Sequence, residues 1–126
     1  MVMIKMLRMI LIVSVITMLA QAVFAGRMLG GDHRSSDFHK LTAKMLVILA
    51  GTQTVIAVAS FLRKLIPLWI PLASFGLLIS EVMEFAAGDL HHVAIHVPLG
   101  LAIFGGAIRQ FLGVMQITPP GVESSS

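Results

Sequence analysis

Three of the five histidines lie within eight residues, between Asp89 and His96, at the start of an apolar stretch that continues to Met115. His92 and His96 are four residues apart, so a helix places them on one face, whereas His91 points elsewhere. An ionisable side chain inside a membrane helix usually has a function. Neutral imidazole is a common ligand of metal ions and of haem iron. The pattern therefore predicts a haem or metal site near the start of this segment.

Two sets of ligands fit these histidines. A b-type haem needs two axial imidazoles from facing helices, and His39 in an earlier apolar segment is available to pair with His96. At about 1.5 Å per residue, however, His92 matches the depth of His39 better, so spacing leaves the second ligand open. The other set adds Glu81 and Glu84, which share a helix face, to His92 and His96. Imidazole together with carboxylate suits zinc or iron.

Composition places these residues in a membrane protein. Of 126 residues, 57% are hydrophobic and only 12% are charged, against about 25% charged in an average soluble domain. The absence of cysteine excludes disulfides, zinc–thiolate sites, iron–sulfur clusters and covalent c-type haem. The pI near 10.0 does not indicate nucleic-acid binding, because the basic residues are scattered singly at segment ends.

Four apolar segments are long enough to cross a bilayer, since about 20 residues suffice: 9–25 (extended toward 29), 37–62, 67–87 and a fourth beginning after 89. They predict an all-α, four-helix, up-down transmembrane domain over 1–117, followed by a disordered cytoplasmic tail, 118–126. Ser35 or Ser36 is the expected N-cap of the second helix, and Asp89 that of the fourth. Pro98 should bend the fourth helix. The first segment also fits a cleaved signal peptide.

The distribution of charge predicts the orientation of the helices. One side of the membrane receives an almost purely basic set: Lys5, Arg8, Arg63, Lys64 and Arg109. The other side mixes both signs: Arg27, Arg34, Lys40 and Lys44 with Asp32, Asp37, Glu81, Glu84 and Asp89. The positive-inside rule then places both termini in the cytoplasm. All five histidines lie on the outer side.

Further groups are expected around a haem at that face. Its propionates need cations at the membrane edge, and the cofactor-binding candidates are Arg27, Arg34 and Lys40. Gln21 and Glu81 are polar side chains in otherwise apolar segments, and each could accept the free ring N–H of one histidine ligand. The alternative for Gln21 is a hydrogen bond to a neighbouring helix.

Three short segments resemble a family of small four-helix membrane proteins of bacteria and archaea. They are Ala-Gln-Ala-Val-Phe-Ala-Gly at 20–26, Ser-Asp-Phe-His-Lys-Leu at 36–41 and Ile-His-Val-Pro-Leu-Gly-Leu-Ala-Ile-Phe-Gly at 95–105. The resemblance implies His39 and His96 as the histidine pair and the plasma membrane of a prokaryote as the location. Glu81 stands where that family tends to have glutamine. The two-histidine, four-helix arrangement is similar in architecture to membrane-bound b-type cytochromes.

The sequence therefore predicts a membrane protein that binds haem b between His39 and His96, with His92 as the alternative ligand on the fourth helix. Two imidazoles favour electron transfer, with a quinone, a small oxidant or a redox protein as partner. A membrane haem oxidoreductase activity is compatible with this site. The alternative is a non-catalytic metal-binding or structural subunit of a larger membrane complex. Ala102 and Gly106 form a small-residue face that would pack within the bundle or in a homodimer.

Overall fold

The computed structural model describes residues 1–118, which form four helices and no strand. The helices are α1 (Val2–Leu29), α2 (Arg34–Leu62), α3 (Trp69–Asp89) and α4 (Val93–Met115). Each is long and apolar enough to cross a membrane. The predicted all-α transmembrane architecture is confirmed. The predicted disordered tail, apart from Thr118, lies outside the described residues.

The helices form an up-down bundle in which each contacts two neighbours. α1 packs against α2 and α4, and α3 packs against the same two helices, so α2 and α4 are diagonal partners. Short turns join consecutive helices, which are therefore antiparallel. We call the end where α2 and α4 begin the histidine end, and the opposite end, where α1 begins and α4 finishes, the terminal end.

The terminal end holds the apolar core, built from Ile4, Leu7, Leu11, Ala57, Ile66, Ile70 and Val114. Arg8 on α1 closes it by donating hydrogen bonds to backbone carbonyls at and just beyond the end of α4. Its guanidinium reaches the oxygen atoms of Val114 at 3.4 Å, Met115 at 3.3 Å and Ile117 at 2.6 Å. The last carbonyls of a helix lack the intrahelical partners of its interior, and a cation there also complements the helix dipole.

A buried polar cluster ties α2, α3 and α4 together in mid-bundle. Gln53 donates to Ser74 Oγ at 3.2 Å and to Gln110 Oε1 at 3.0 Å. Gln110 donates in turn to Ser74 Oγ at 2.6 Å and to the carbonyl of Ile70 at 3.1 Å. All three polar side chains are buried. Since lipid offers no hydrogen bonds, such groups must satisfy one another.

Both predicted N-caps were wrong. α2 begins at Arg34, and Asp32 serves its first turn by accepting the Arg34 N–H at 3.2 Å and the Ser35 hydroxyl at 2.9 Å. The Ser35 hydroxyl, followed by the guanidinium of Arg27 2.7 Å away, lowers the pKa of the Asp32 carboxyl. α3 continues through Asp89, so the turn before α4 is shifted to residues 90–92.

Candidate functional site

The rings of His39 and His96 meet inside the histidine end. Their centroids are 6.1 Å apart and their planes are inclined by 81°. His39 lies in the second turn of α2 and His96 in the first turn of α4. Because α2 and α4 are diagonal partners, the two imidazoles approach each other across the axis of the bundle.

This geometry removes the depth mismatch that the sequence suggested. α2 begins before the expected serine caps and α4 begins after the expected aspartate cap. Both shifts bring His39 and His96 to similar depth. His92 precedes α4 as its N-cap residue and is exposed. The structure thus places His96, and not His92, opposite His39.

Glu84 on α3 fixes the orientation of the His96 ring. Nδ1 of His96 lies 2.9 Å from Oε1 of Glu84 and 3.2 Å from the Glu84 backbone oxygen. A backbone carbonyl and a carboxylate can only accept hydrogen bonds, so Nδ1 carries the proton. In the neutral imidazole the lone pair is then on Nε2, the nitrogen left to bind a metal.

Two glycines make room for this pair where α3 and α4 approach. A Cβ atom at Gly88 would lie 2.9 Å from Cε1 of His96, and a Cβ at Gly100 would lie 2.7 Å from Oε1 of Glu84. Real Cβ atoms do not come so close to other atoms. The His96–Glu84 contact therefore depends on the absence of side chains at both positions.

Gln21 on α1 orients His39 in a similar way. Nδ1 of His39 is 3.2 Å from the Gln21 backbone oxygen, an acceptor, so here too the proton belongs on Nδ1. The Gln21 side-chain amide approaches Nε2 of His39 at 3.5 Å, a long contact, while its oxygen accepts a hydrogen bond from the Thr42 hydroxyl. Both imidazoles are thus held in the tautomer that leaves Nε2 as the acceptor.

The acidic residues of the site are Glu81 and Glu84, one helical turn apart on α3. Glu81 is buried, with 5% of its surface exposed. Oε2 of Glu84 is buried and has no hydrogen-bond partner within residues 1–118. Glu84, rather than the expected Glu81, makes the carboxylate contact with a histidine. Glu84 lies beside His96 because the α3–α4 turn falls at residues 90–92, later than the expected cap at Asp89 implied.

The remaining predicted residues lie around this centre rather than in it. Arg27 pairs with Asp32 in the α1–α2 turn, and Arg34 and Lys40 are exposed at the same end of the bundle. Within the described chain, no three acidic or histidine side chains converge on a point that could hold a metal ion. The alternative set of four ligands (His92, His96, Glu81 and Glu84) is therefore not assembled in the described chain.

Comparison with known proteins does not assign the chain to a family. No family model matches the chain, and neither a curated protein nor a solved structure matches it. Any function must accordingly be inferred from the His39–His96 pair and the groups that orient it.

Proposed function

We propose that this protein is a membrane-embedded b-type haem protein that transfers electrons, with His39 and His96 as the axial ligands. The observation that carries the proposal is the meeting of the two rings across the bundle axis, each with Nδ1 hydrogen-bonded to acceptors. Haem sites in four-helix bundles are built from such inward-facing side chains.

The separation and hydrogen bonding of the rings support this pair as the residues that would hold a haem. Their centroids are 6.1 Å apart, and the hydrogen bond at each Nδ1 leaves Nε2 of both imidazoles available to a metal. The Gln21 amide must give up its contact with Nε2 of His39, and at 3.5 Å this contact is weak.

The surrounding residues would set the properties of the site. The Glu84 carboxylate, accepting the N–H of His96, would raise the basicity of that ligand and favour the ferric state of a bound haem, whereas Gln21 would act on His39 through a neutral carbonyl. A haem held by both imidazoles would have no free position for oxygen, which would favour electron transfer over oxygen binding. Bound haem would supply one-electron exchange with a quinone, a small oxidant or a redox protein.

The proposal includes an orientation. The basic residues of the terminal end favour a cytoplasmic location for both termini, in the plasma membrane of a prokaryote. The haem would then lie near the outer face. Arg34 and Lys40, exposed at the histidine end, are available to the propionates.

The ligands can be tested by substitution in the full-length protein. His39→Ala and His96→Ala should each abolish stable haem binding, measured as haem per chain after purification, because each removes an axial bond. His33→Ala, His91→Ala and His92→Ala are matched controls, since these three histidines are exposed. Loss of haem in His92→Ala with retention in His96→Ala would reverse the assignment on α4.

One observation favours a second candidate function, that of a non-catalytic metal-binding subunit. The unpaired buried oxygen of Glu84 lies on the carboxylate that contacts His96. An oxygen with an imidazole suits a divalent ion such as zinc, whose remaining ligands would have to come from water or from another subunit of the complex. Zinc titration of haem-free protein distinguishes the two. Binding that is lost in Glu84→Gln, in a protein that takes up no haem, would favour this candidate.

A further inference from the structure

A groove runs between α3 and α4 on the lipid-facing side of the bundle, away from the histidine pair. One part of it has a volume of about 500 Å³, and an adjoining part has a volume of about 570 Å³; Trp69 and Arg109 line both. Gly76, Ala102 and Gly106 line the first of these parts and are exposed. Their small side chains leave a channel open to the bilayer.

The polar end of the groove is formed by Arg109 and Trp69 near the terminal end. Arg109 lies six residues before the end of α4, about 9 Å along the helix axis. Within residues 1–118 its guanidinium makes no ion pair or hydrogen bond. Trp69 reaches across to α4 and packs over Gly113, where an added Cβ would lie 2.5 Å from the indole ring. The groove thus joins an apolar channel to an unpaired cation.

We propose that this groove is a binding site for an anionic glycerophospholipid. The guanidinium and the indole N–H would hold the phosphate, since an arginine at this depth requires an anionic partner or water. One acyl chain would lie along the channel over Gly76, Ala102 and Gly106. The volume suits such a chain.

Charge favours the lipid over a second copy of the protein. A symmetric dimer across this groove would bring two Arg109 side chains toward each other, because a two-fold interface uses the same surface twice. Like charges there oppose association. An anionic headgroup neutralises the same residue. The inference does not depend on the proposed haem function.

Trp69 is the only tryptophan and therefore reports directly on the groove. Full-length protein in nanodiscs would be titrated with phosphatidylglycerol or phosphatidylcholine carrying brominated chains, which quench tryptophan fluorescence on contact. One interfacial cation corresponds to about a fivefold preference for an anionic lipid. We expect brominated phosphatidylglycerol to reach half-quenching at about a fivefold lower mole fraction than brominated phosphatidylcholine.

Variants separate the headgroup site from the channel. Arg109→Gln should erase the preference, Arg109→Lys should retain most of it, and Arg63→Gln, at the same end but outside the groove, should leave it unchanged. Ala102→Phe should reduce quenching by both lipids. Equal quenching by the two lipids in the wild type, or an unchanged preference in Arg109→Gln, would overturn the proposal. The proposal would also be overturned if neither lipid quenched Trp69 and the Gly105→Cys variant formed disulfide-linked dimers, because a second copy of the protein would then occupy the groove.

Discussion

Adding one methyl group at Gly100 should break the contact that orients His96. In the Gly100→Ala variant the new Cβ would lie 2.7 Å from Oε1 of Glu84, the oxygen that accepts the His96 N–H. The end of a glutamate side chain is flexible, so the carboxylate moves and the helices stay in place. His96 then keeps only the longer bond to the Glu84 backbone oxygen, at 3.2 Å.

Gly105→Ala is a matched control on the same helix, because a Cβ there meets no atom within 4 Å. Alanine is intrinsically better than glycine in a helix by about 0.9 kcal/mol, a gain common to both variants that cancels in their comparison. Hydrogen bonds between membrane helices contribute about 0.6 kcal/mol on average and up to about 1.7. A bond to a carboxylate belongs near the upper end, so the variants should differ by about 1.5 kcal/mol.

Unfolding by dodecyl sulfate in mixed micelles, followed by circular dichroism, measures this difference. It corresponds to about a tenfold change in the folding equilibrium, with Gly105→Ala the more stable protein. Equal stability of the two variants would show that the His96–Glu84 contact contributes nothing to the free energy of unfolding. The steric reasoning about Gly100 would then be refuted.

Three further predictions concern the buried cluster, the topology and the haem. Gln53→Leu and Gln110→Leu should each lower the free energy of unfolding by about 1–2 kcal/mol. The double variant should lose less than the sum of the two, because removing both partners leaves fewer groups unpaired. Additive losses would contradict this. The His33→Cys variant should react with an impermeant thiol reagent on intact cells, and the Lys64→Cys variant should not. The reverse result would show that the orientation in the membrane is the opposite one. Glu84→Gln should retain haem and raise its midpoint potential by tens of millivolts, and an unchanged redox titration would separate Glu84 from the haem.

The fold was predictable because four long apolar segments joined by short turns leave few other arrangements. The helix starts were not, because N-cap propensity is local and several residues compete for the same role. α2 begins before the two serines because the Asp32 carboxylate accepts hydrogen bonds from the Arg34 N–H and the Ser35 hydroxyl while it pairs with Arg27. This three-residue shift is what misled the depth comparison between His39 and the histidines of α4.

Residues that function through packing were harder to find in the sequence. The roles of Gly88 and Gly100 depend on how closely α3 approaches α4, which no local pattern reveals. Gln110 was detectable in principle, because an amide in an apolar helix must find a partner. Its partners Gln53 and Ser74, however, come from other helices, and only the packed bundle identifies them.

The absorption spectrum of the wild-type protein tests the central proposal most directly. Protein purified from haem-supplied cells should show an intense Soret band and a reduced-minus-oxidised spectrum typical of six-coordinate low-spin haem b, at about one haem per chain. A folded, helical protein that shows no Soret band, even after incubation with excess haem, would contradict the assignment of His39 and His96 as axial ligands.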